Sequence, residues 1–242
     1  QLLDNSKNDL FEINKKKFYE ACKRQNVRLD ELLISINAWK NTNLLVLGDA
    51  ILDQYAGCEP IGMSAEAPVL VVKELQRKTF IGGAAIVASH IRALGANCTF
   101  LSVVGNDESS KVIEDKLISQ GVECKLIHDE SRATTFKKRY IVENQKLFRV
   151  SRLNDHSINE NIEKKMLQNL EEIAPNIDGI VVSDFVYGVI THKILRKILV
   201  LAKKYKLKIF GDLQCSSQIG LVTKFNNFDL ICPNEKEARI GL

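Results

Sequence analysis

The 242 residues, 45% of them hydrophobic, suffice to bury the core of one α/β domain or one and a half. A net charge of +4, carried by dispersed lysines and arginines with small clusters at 15–17, 137–139 and 203–204, lacks the dense basic face of a nucleic-acid binder. No signal peptide opens the chain and no apolar run nears ~18 residues, so the sequence reads as cytoplasmic and without a membrane span.

Residues 1–42 are polar and lysine-rich. The spacing of Leu10, Phe11, Ile13, Phe18 and Tyr19, then of Leu29, Leu32, Leu33 and Ile36, predicts two helices over roughly 8–24 and 29–39. They read either as a helical extension of the body or, since Gln1 is not a start methionine, as a connector from an upstream domain. From residue 43 onward strands and helices alternate, the pattern of a parallel sheet covered on both faces. Strand 43–48 ends in Gly48-Asp49, a polar segment with Pro60, Gly62 and Pro68 follows, and 69–75 reads as a strand. After a helix over 83–95, a strand over 98–104 leads to Asp107, which caps a helix running to about Gln120 and ended by Gly121. Segments 134–142 and 146–153 flank Glu143-Asn144-Gln145 as a hairpin. Helix 157–173, strand 179–183, helix 191–205, strand 208–212, a short helix near 216–225, strand 229–232 and a helix opened by Pro233-Asn234 complete the order. Six cysteines, at 22, 58, 98, 124, 215 and 232, form no C-x-x-C pair and have no histidine at ligand spacing, so they read as buried free thiols in a reducing cytosol.

The organising stretch is Phe80 to Ala96, which reads as a loop turning into a helix. Gly82 and Gly83 carry no Cβ, so a ligand can approach their backbone, while Ala84, Ala85 and Ala88 let the helix pack closely on a sheet. Free N–H groups and the positive end of the dipole then favour a hydroxyl-rich or anionic ligand. A tight turn on an ordinary buried helix would look the same. Upstream, the strand ending at Gly48 delivers Asp49 and Asp53 to its carboxyl end, where open α/β sheets bind ligands. Two carboxylates beside a glycine-opened helix suit a site that grips sugar hydroxyls. There is no Walker A loop and no Gly-x-Gly-x-x-Gly.

Gly48-Asp49-x-x-x-Asp53, Glu66-Ala67-Pro68-Val69, Gly82-Gly83-Ala84-Ala85-x-Val87-Ala88 and Leu94-Gly95-Ala96 together resemble the ribokinase-like (PfkB) carbohydrate kinases. The closest likeness is to the kinase part of bifunctional sugar kinase/nucleotidyltransferases, such as the heptose-phosphate kinases that supply ADP-heptose, and it runs from about Asn43 to Leu242. The resemblance implies a doubly wound, mostly parallel α/β sheet with helices on both faces. A small β lid made from about 58–75 and 134–153 would cover the sugar and often form a homodimer contact. It implies transfer of the γ-phosphoryl group of ATP, with Mg²⁺, to a hydroxyl of a sugar or sugar phosphate. Partners would be that sugar, ATP and a fused nucleotidyltransferase domain, with no nucleic acid and no membrane.

Carried over residue by residue, Asp53 holds sugar hydroxyls, Gly82 and Gly83 give backbone contacts, and Asp49 assists or merely caps a turn. Asp184 is a further sugar- or phosphate-side carboxylate. Asn234 and Glu237 match the Asn-x-x-Glu element that organises Mg²⁺ and phosphates through water, with no direct metal ligand, and would look the same as an N-cap and a helix charge. On the hairpin, Arg139 and Arg149 suit a substrate phosphate, with exposed surface charge the plainer reading. His90, His128, His156 and His192 show no catalytic pattern. Three departures stand out. Ile86 replaces the family's usual Asn, Tyr187 and Gln214 stand where many relatives carry Lys, and the Gly-Ala-Gly-Asp element with the catalytic base and adenine pocket is expected beyond Leu242. These departures leave open a catalytically inactive sugar-binding or dimerisation module, or a nucleoside kinase of the same fold.

Overall fold

In the computed structural model, which describes residues 2–143, 145–215 and 218–241 and side chains from Phe11 onward, the chain divides into two units, Gln1–Asn41 and Thr42–Leu242. The first consists of α1 (Leu2–Arg24), α2 (Leu29–Ala38) and a 3-10 turn at Trp39–Asn41, with Asn26 in the left-handed region between the helices.

The second unit opens on β1 (Asn43–Gly48), then β2 (Ala50–Met63), β3 (Leu70–Gly83), α3 (Ala84–Ala93), β4 (Asn97–Val104), α4 (Glu108–Ser119) and β5 (Glu123–His128). It continues with β6 (Thr135–Val142), β7 (Gln145–Arg152), α5 (Glu160–Ile173), β8 (Gly179–Asp184), α6 (His192–Tyr205), β9 (Lys208–Leu213), β10 (Leu230–Ile231) and α7 (Glu235–Ile240). Six strands form an all-parallel sheet in the order β10-β9-β8-β1-β4-β5. Side chains alternate across a strand, so Leu45 and Leu47 meet Met166, Leu170, Ile194 and Ile198 on one face. Val46, with Phe100, meets Ala85, Ala88, Ile113 and Leu117 on the other. Burial on both faces, about 1.5–3 kcal/mol for each large aliphatic side chain, is what makes the sheet doubly wound. From β1 the chain runs outward through β4 and β5, then returns to build β8, β9 and β10 on the other side. The switch point therefore lies at the carboxyl end of β1, the place where such sheets bind ligands.

A second, mixed sheet has the order β3-β2-β6-β7. β2 runs antiparallel to β3 and parallel to β6, and β6 pairs antiparallel with β7. Several sequence expectations change here. The polar segment after Asp49 is the 14-residue strand β2, and β3 extends the strand expected over 69–75 as far as Gly83. Gly82 and Gly83 are thus the end of a strand rather than a loop, and Asp53 lies within β2 rather than at the end of a core strand. Pro60 is tolerated because β2 pairs with β6 only as far as Cys58. Local propensity is poor in β2 and β3, and the long antiparallel pairing between them, with register shifts at Gly57/Cys58 and Pro60/Gly62, makes the strands. β5 is an additional strand, and α5 starts at Glu160, with the Asn159 side chain accepting from the Ile162 N–H. Of the helix expected near 216–225, residues 216 and 217 lie outside the described residues, and of the rest Val222–Phe225 form a 3-10 turn. Among the cysteines, Cys22, Cys58 and Cys98 are buried, Cys124 and Cys215 half-buried, and Cys232 exposed, so the expectation of uniformly buried thiols fails at Cys232, which follows the edge strand β10.

Candidate active site

Two carboxylates arrive at the switch point on the ends of β1 and β8, and both are committed to the loop that follows β8. Asp49 Oδ2 accepts from the Phe185 N–H at 2.7 Å and the Tyr187 N–H at 3.4 Å. Its carbonyl accepts from the Ala84 N–H at 2.9 Å, so the first amide of α3 is already used. Oδ1 of Asp49 is buried without a hydrogen-bond partner. Burial, and then the charge of Asp184, push the Asp49 carboxyl up to about 7 against the two N–H bonds that favour its charged form. Asp184 Oδ1 accepts from the Val186 N–H at 2.7 Å, and its other oxygen is paired with Lys224. Neither Asp49 nor Asp184 lines the cleft described next.

That cleft, of about 830 Å³, lies between the second sheet and the loop after β8. The period of two along a strand explains its lining: Ile51, Asp53 and Tyr55 from β2, Lys78, Phe80 and Gly82 from β3, and Lys137, Arg139 and Ile141 from β6 share one face. Phe185 and Ile86 come from the body of the fold. Asp53 forms an ion pair with Arg139, whose guanidinium sits 5.2 Å from the Tyr55 ring centre. A Cβ at Gly82 would collide with the Asp53 carboxylate, and one at Gly83, where φ is +61°, would collide with the Asp49 carbonyl. The double glycine thus admits Asp53 to the cleft and lets β3 turn into α3. Lys137 stands opposite Asp53 in the parallel register, only 3% exposed, its ammonium 5.4 Å from the Phe185 ring and 5.1 Å from the Tyr187 ring. Arg149, directly across from Arg139 on β7, also reaches the cleft. Four cations, Lys78, Lys137, Arg139 and Arg149, face two carboxylates, Asp53 and Glu143. Such a surplus favours an anionic ligand.

The remaining expected residues lie elsewhere. Asn234 Oδ1 accepts from the Glu237 N–H at 3.0 Å, while Glu237 Oε2 accepts from the Asn234 N–H at 2.9 Å, a reciprocal capping box on α7. Glu237 Oε1 accepts from the Cys215 N–H at 3.1 Å, so both carboxylate oxygens serve the backbone. The Asn234 side-chain oxygen and both Glu237 carboxylate oxygens thus already accept from backbone N–H groups, and Glu237 is buried. Among the described residues no group of three or more His, Cys, Asp and Glu is placed to hold a metal ion. Gln214 donates to the Asp212 carboxylate at 3.2 Å. Tyr187 is fully buried, stacked on Phe185 with its hydroxyl unpartnered, and does not reach the cleft. Sequence reasoning passed over Lys137, Lys78 and Phe185. The alternation 137, 139, 141 on a strand was the available signal for Lys137, whereas Phe185 enters by a tertiary approach that has no local signature.

A doubly wound parallel sheet, a mixed four-stranded sheet at its carboxyl edge and a basic cleft between them define a ribokinase-like α/β protein. Residues 41–241 match the model of the pfkB family carbohydrate kinases, and the chain belongs to that family. It is 32% identical over 197 residues to the bifunctional protein HldE of Geobacter sulfurreducens, covering 81% of this chain and 39% of that protein. To the bifunctional protein HldE of Helicobacter hepaticus it is 35% identical over 206 residues, covering 84% and 41%. The chain therefore spans about two fifths of the length of these curated relatives. The Arabidopsis thaliana ribokinase structure complexed with ribose and ATP superposes with a TM-score of 0.60 at 17% identity, over 82% of this chain and 62% of that one. No helix among the described residues is long and apolar enough to cross a membrane.

Proposed function

We propose that the Thr42–Leu242 unit binds the acceptor sugar of an ATP-dependent carbohydrate kinase, and that the acceptor is a sugar phosphate of the heptose type used in nucleotide-sugar synthesis. The observation that carries this reading is the surplus of cations in a cleft that also presents a carboxylate, Asp53, beside a glycine backbone. Asp53 accepts hydrogen bonds from the sugar hydroxyls, and Gly82 and Gly83 allow the ring close to the backbone. Arg139 and Arg149 hold the phosphate the sugar already carries. Arginine suits that task because its planar fork binds phosphate in two places at once. Asp49 and Asp184 act indirectly, by holding the loop that places Phe185 against the ligand. ATP, with Mg²⁺, supplies the transferred phosphoryl group in the cytoplasm. This unit's contribution is to fix the attacking hydroxyl and exclude water, since positioning is most of what a kinase does. That these relatives are bifunctional proteins fits a fused nucleotidyltransferase domain in the same polypeptide.

Calorimetric titration with a heptose phosphate and with the unphosphorylated heptose tests the reading. The phosphate ester should bind at least about tenfold tighter, roughly 1.4 kcal/mol, and Arg139→Met should remove most of that preference. Equal affinities for the two sugars would contradict it. Ile86, an apolar side chain on the cleft wall, favours a second reading, a sugar-binding module without turnover. Binding of the heptose phosphate without any transfer from ATP in the full-length protein would select that reading.

A further inference from the structure

The loop after β8 is gripped from two sides. On one side stands the Asp49 carboxylate, holding the N–H groups of Phe185 and Tyr187. On the other stands Arg132, in the turn between β5 and β6, its side chain 4% exposed. Its Nε pairs with Asp129 Oδ2 at 3.2 Å, one terminal nitrogen donates to the Tyr187 carbonyl at 3.1 Å, and the other donates to the His156 carbonyl at 2.8 Å. Asp129 is itself set by the N–H and hydroxyl of Ser131, at 2.9 and 2.7 Å. The loops joined by this fork are in direct contact. The Ile158 N–H donates to the Gly188 carbonyl at 3.0 Å, and a Cβ at Gly188, where φ is +85°, would collide with the His156 carbonyl. One residue beyond Arg132, the Ala133 N–H donates to Asn154 Oδ1 at 2.9 Å, which ties the roots of β6 and β7 together.

Burying a guanidinium costs much of what its ion pair returns, so a stabilising role explains little here. What arginine supplies and lysine does not is a rigid planar set of donors that fixes a carboxylate and two carbonyls in set directions. Arg132 does not line the cleft. Yet five residues further on, within β6, stands Lys137, whose ammonium faces the rings of Phe185 and Tyr187. The fork therefore fixes the spacing between Lys137 on β6 and the aromatic wall opposite.

We propose that Arg132 is a positioning residue for the acceptor cleft, setting the gap between the root of β6 and the loop that carries Phe185. The proposal rests on the reading of that cleft as the sugar site. Arg132→Lys keeps the charge and can keep the pairing with Asp129 but loses the fork. In hydrogen exchange, the amides of Phe185 and Tyr187 should exchange at least about tenfold faster in the variant, with β8 unchanged. By calorimetry, affinities for heptose phosphate and for unphosphorylated heptose should fall by the same factor, about fivefold or more, because the wall faces the sugar and not its phosphate. Arg139→Met, in contrast, changes the ratio of the two. If Arg132→Lys does not fold, Asp129→Asn, which loosens the fork and leaves the guanidinium in place, is measured in the same way and should move both readouts in the same direction. Unchanged exchange at 185 and 187, or a lowered melting temperature with both affinities intact below it, would overturn the positioning role. Failure of the wild type to bind either sugar would instead overturn the reading of the cleft, and the wild-type titration alone tells these results apart.

Discussion

Asp49 shows how much the role of one residue depends on what surrounds it. Its carboxyl is raised from 3.8 to about 7 by burial and by Asp184, so between those values the folded state binds a proton that the unfolded state has released. The stability this provides is fully present below about pH 4 and is lost as the pH rises through about 7. Asp49→Asn keeps an oxygen for the two N–H groups and cannot ionise. Its melting temperature relative to the wild type should therefore climb steadily between pH 4 and pH 7, and a difference that stays constant across a series of thermal melts would contradict this. Glu237 makes the opposite case. The Asn-x-x-Glu spacing is legible in the sequence as a capping box or as a phosphate element, and what the sequence does not show is the further bond from the Cys215 N–H, 22 residues away, to Glu237 Oε1. Glu237→Gln turns an NH₂ toward one of two backbone donors and should destabilise the unit by about 1–3 kcal/mol. Chemical denaturation checks this, and an unchanged midpoint would show that the carboxylate is not a staple.

At the scale of elements, the parallel sheet was legible because its strands carry their own signal. Leu45, Val46 and Leu47 are all apolar, which only a strand buried on both faces requires. The helices announced their starts at Asp107 and Thr191, whose side chains accept from Ser110 and Ile194. The hairpin β2–β3 was not legible. Its cleft face must be polar to hold a ligand, and the run Gln76 to Thr79 therefore reads as a loop until the partner strand is known. The two glycines that end β3 now separate in function. Gly83→Ala meets a positive φ and the Asp49 carbonyl, so it should lower the melting temperature. Gly82→Ala collides only with the Asp53 carboxylate and meets the Ile51 Cβ at ordinary contact distance, and should weaken sugar binding more than stability. Melts and titrations on both variants decide this, and the reverse pattern would mean that Asp53 does not lie against the ligand.

At the scale of the whole molecule, the second sheet carries exposed Ile61, Met63, Leu70, Leu75, Phe148 and Val150. Exposed apolar side chains gathered on one sheet suit burial against a copy of the same sheet, which is the dimer that the family resemblance leads one to expect. Leu75→Asp should convert a dimer to a monomer in sedimentation equilibrium, and an unchanged mass would move the interface elsewhere. The resemblance leads one to expect a lid over 58–75 and 134–153, but which residues face the cleft could not be read from sequence alone, since that depends on which face of each strand turns inward.

The most direct test of the central claim, that the cleft between the two sheets is the sugar site, is the affinity of Asp53→Ala for a heptose phosphate. Asp53 is half-buried and paired with Arg139, and its loss removes acceptors from sugar hydroxyls without touching the core. Affinity should fall by about 1.5–3 kcal/mol, the worth of hydrogen bonds to a charged group, while the melting temperature stays near that of the wild type. A variant that binds the heptose phosphate as tightly as the wild type would place the sugar somewhere else.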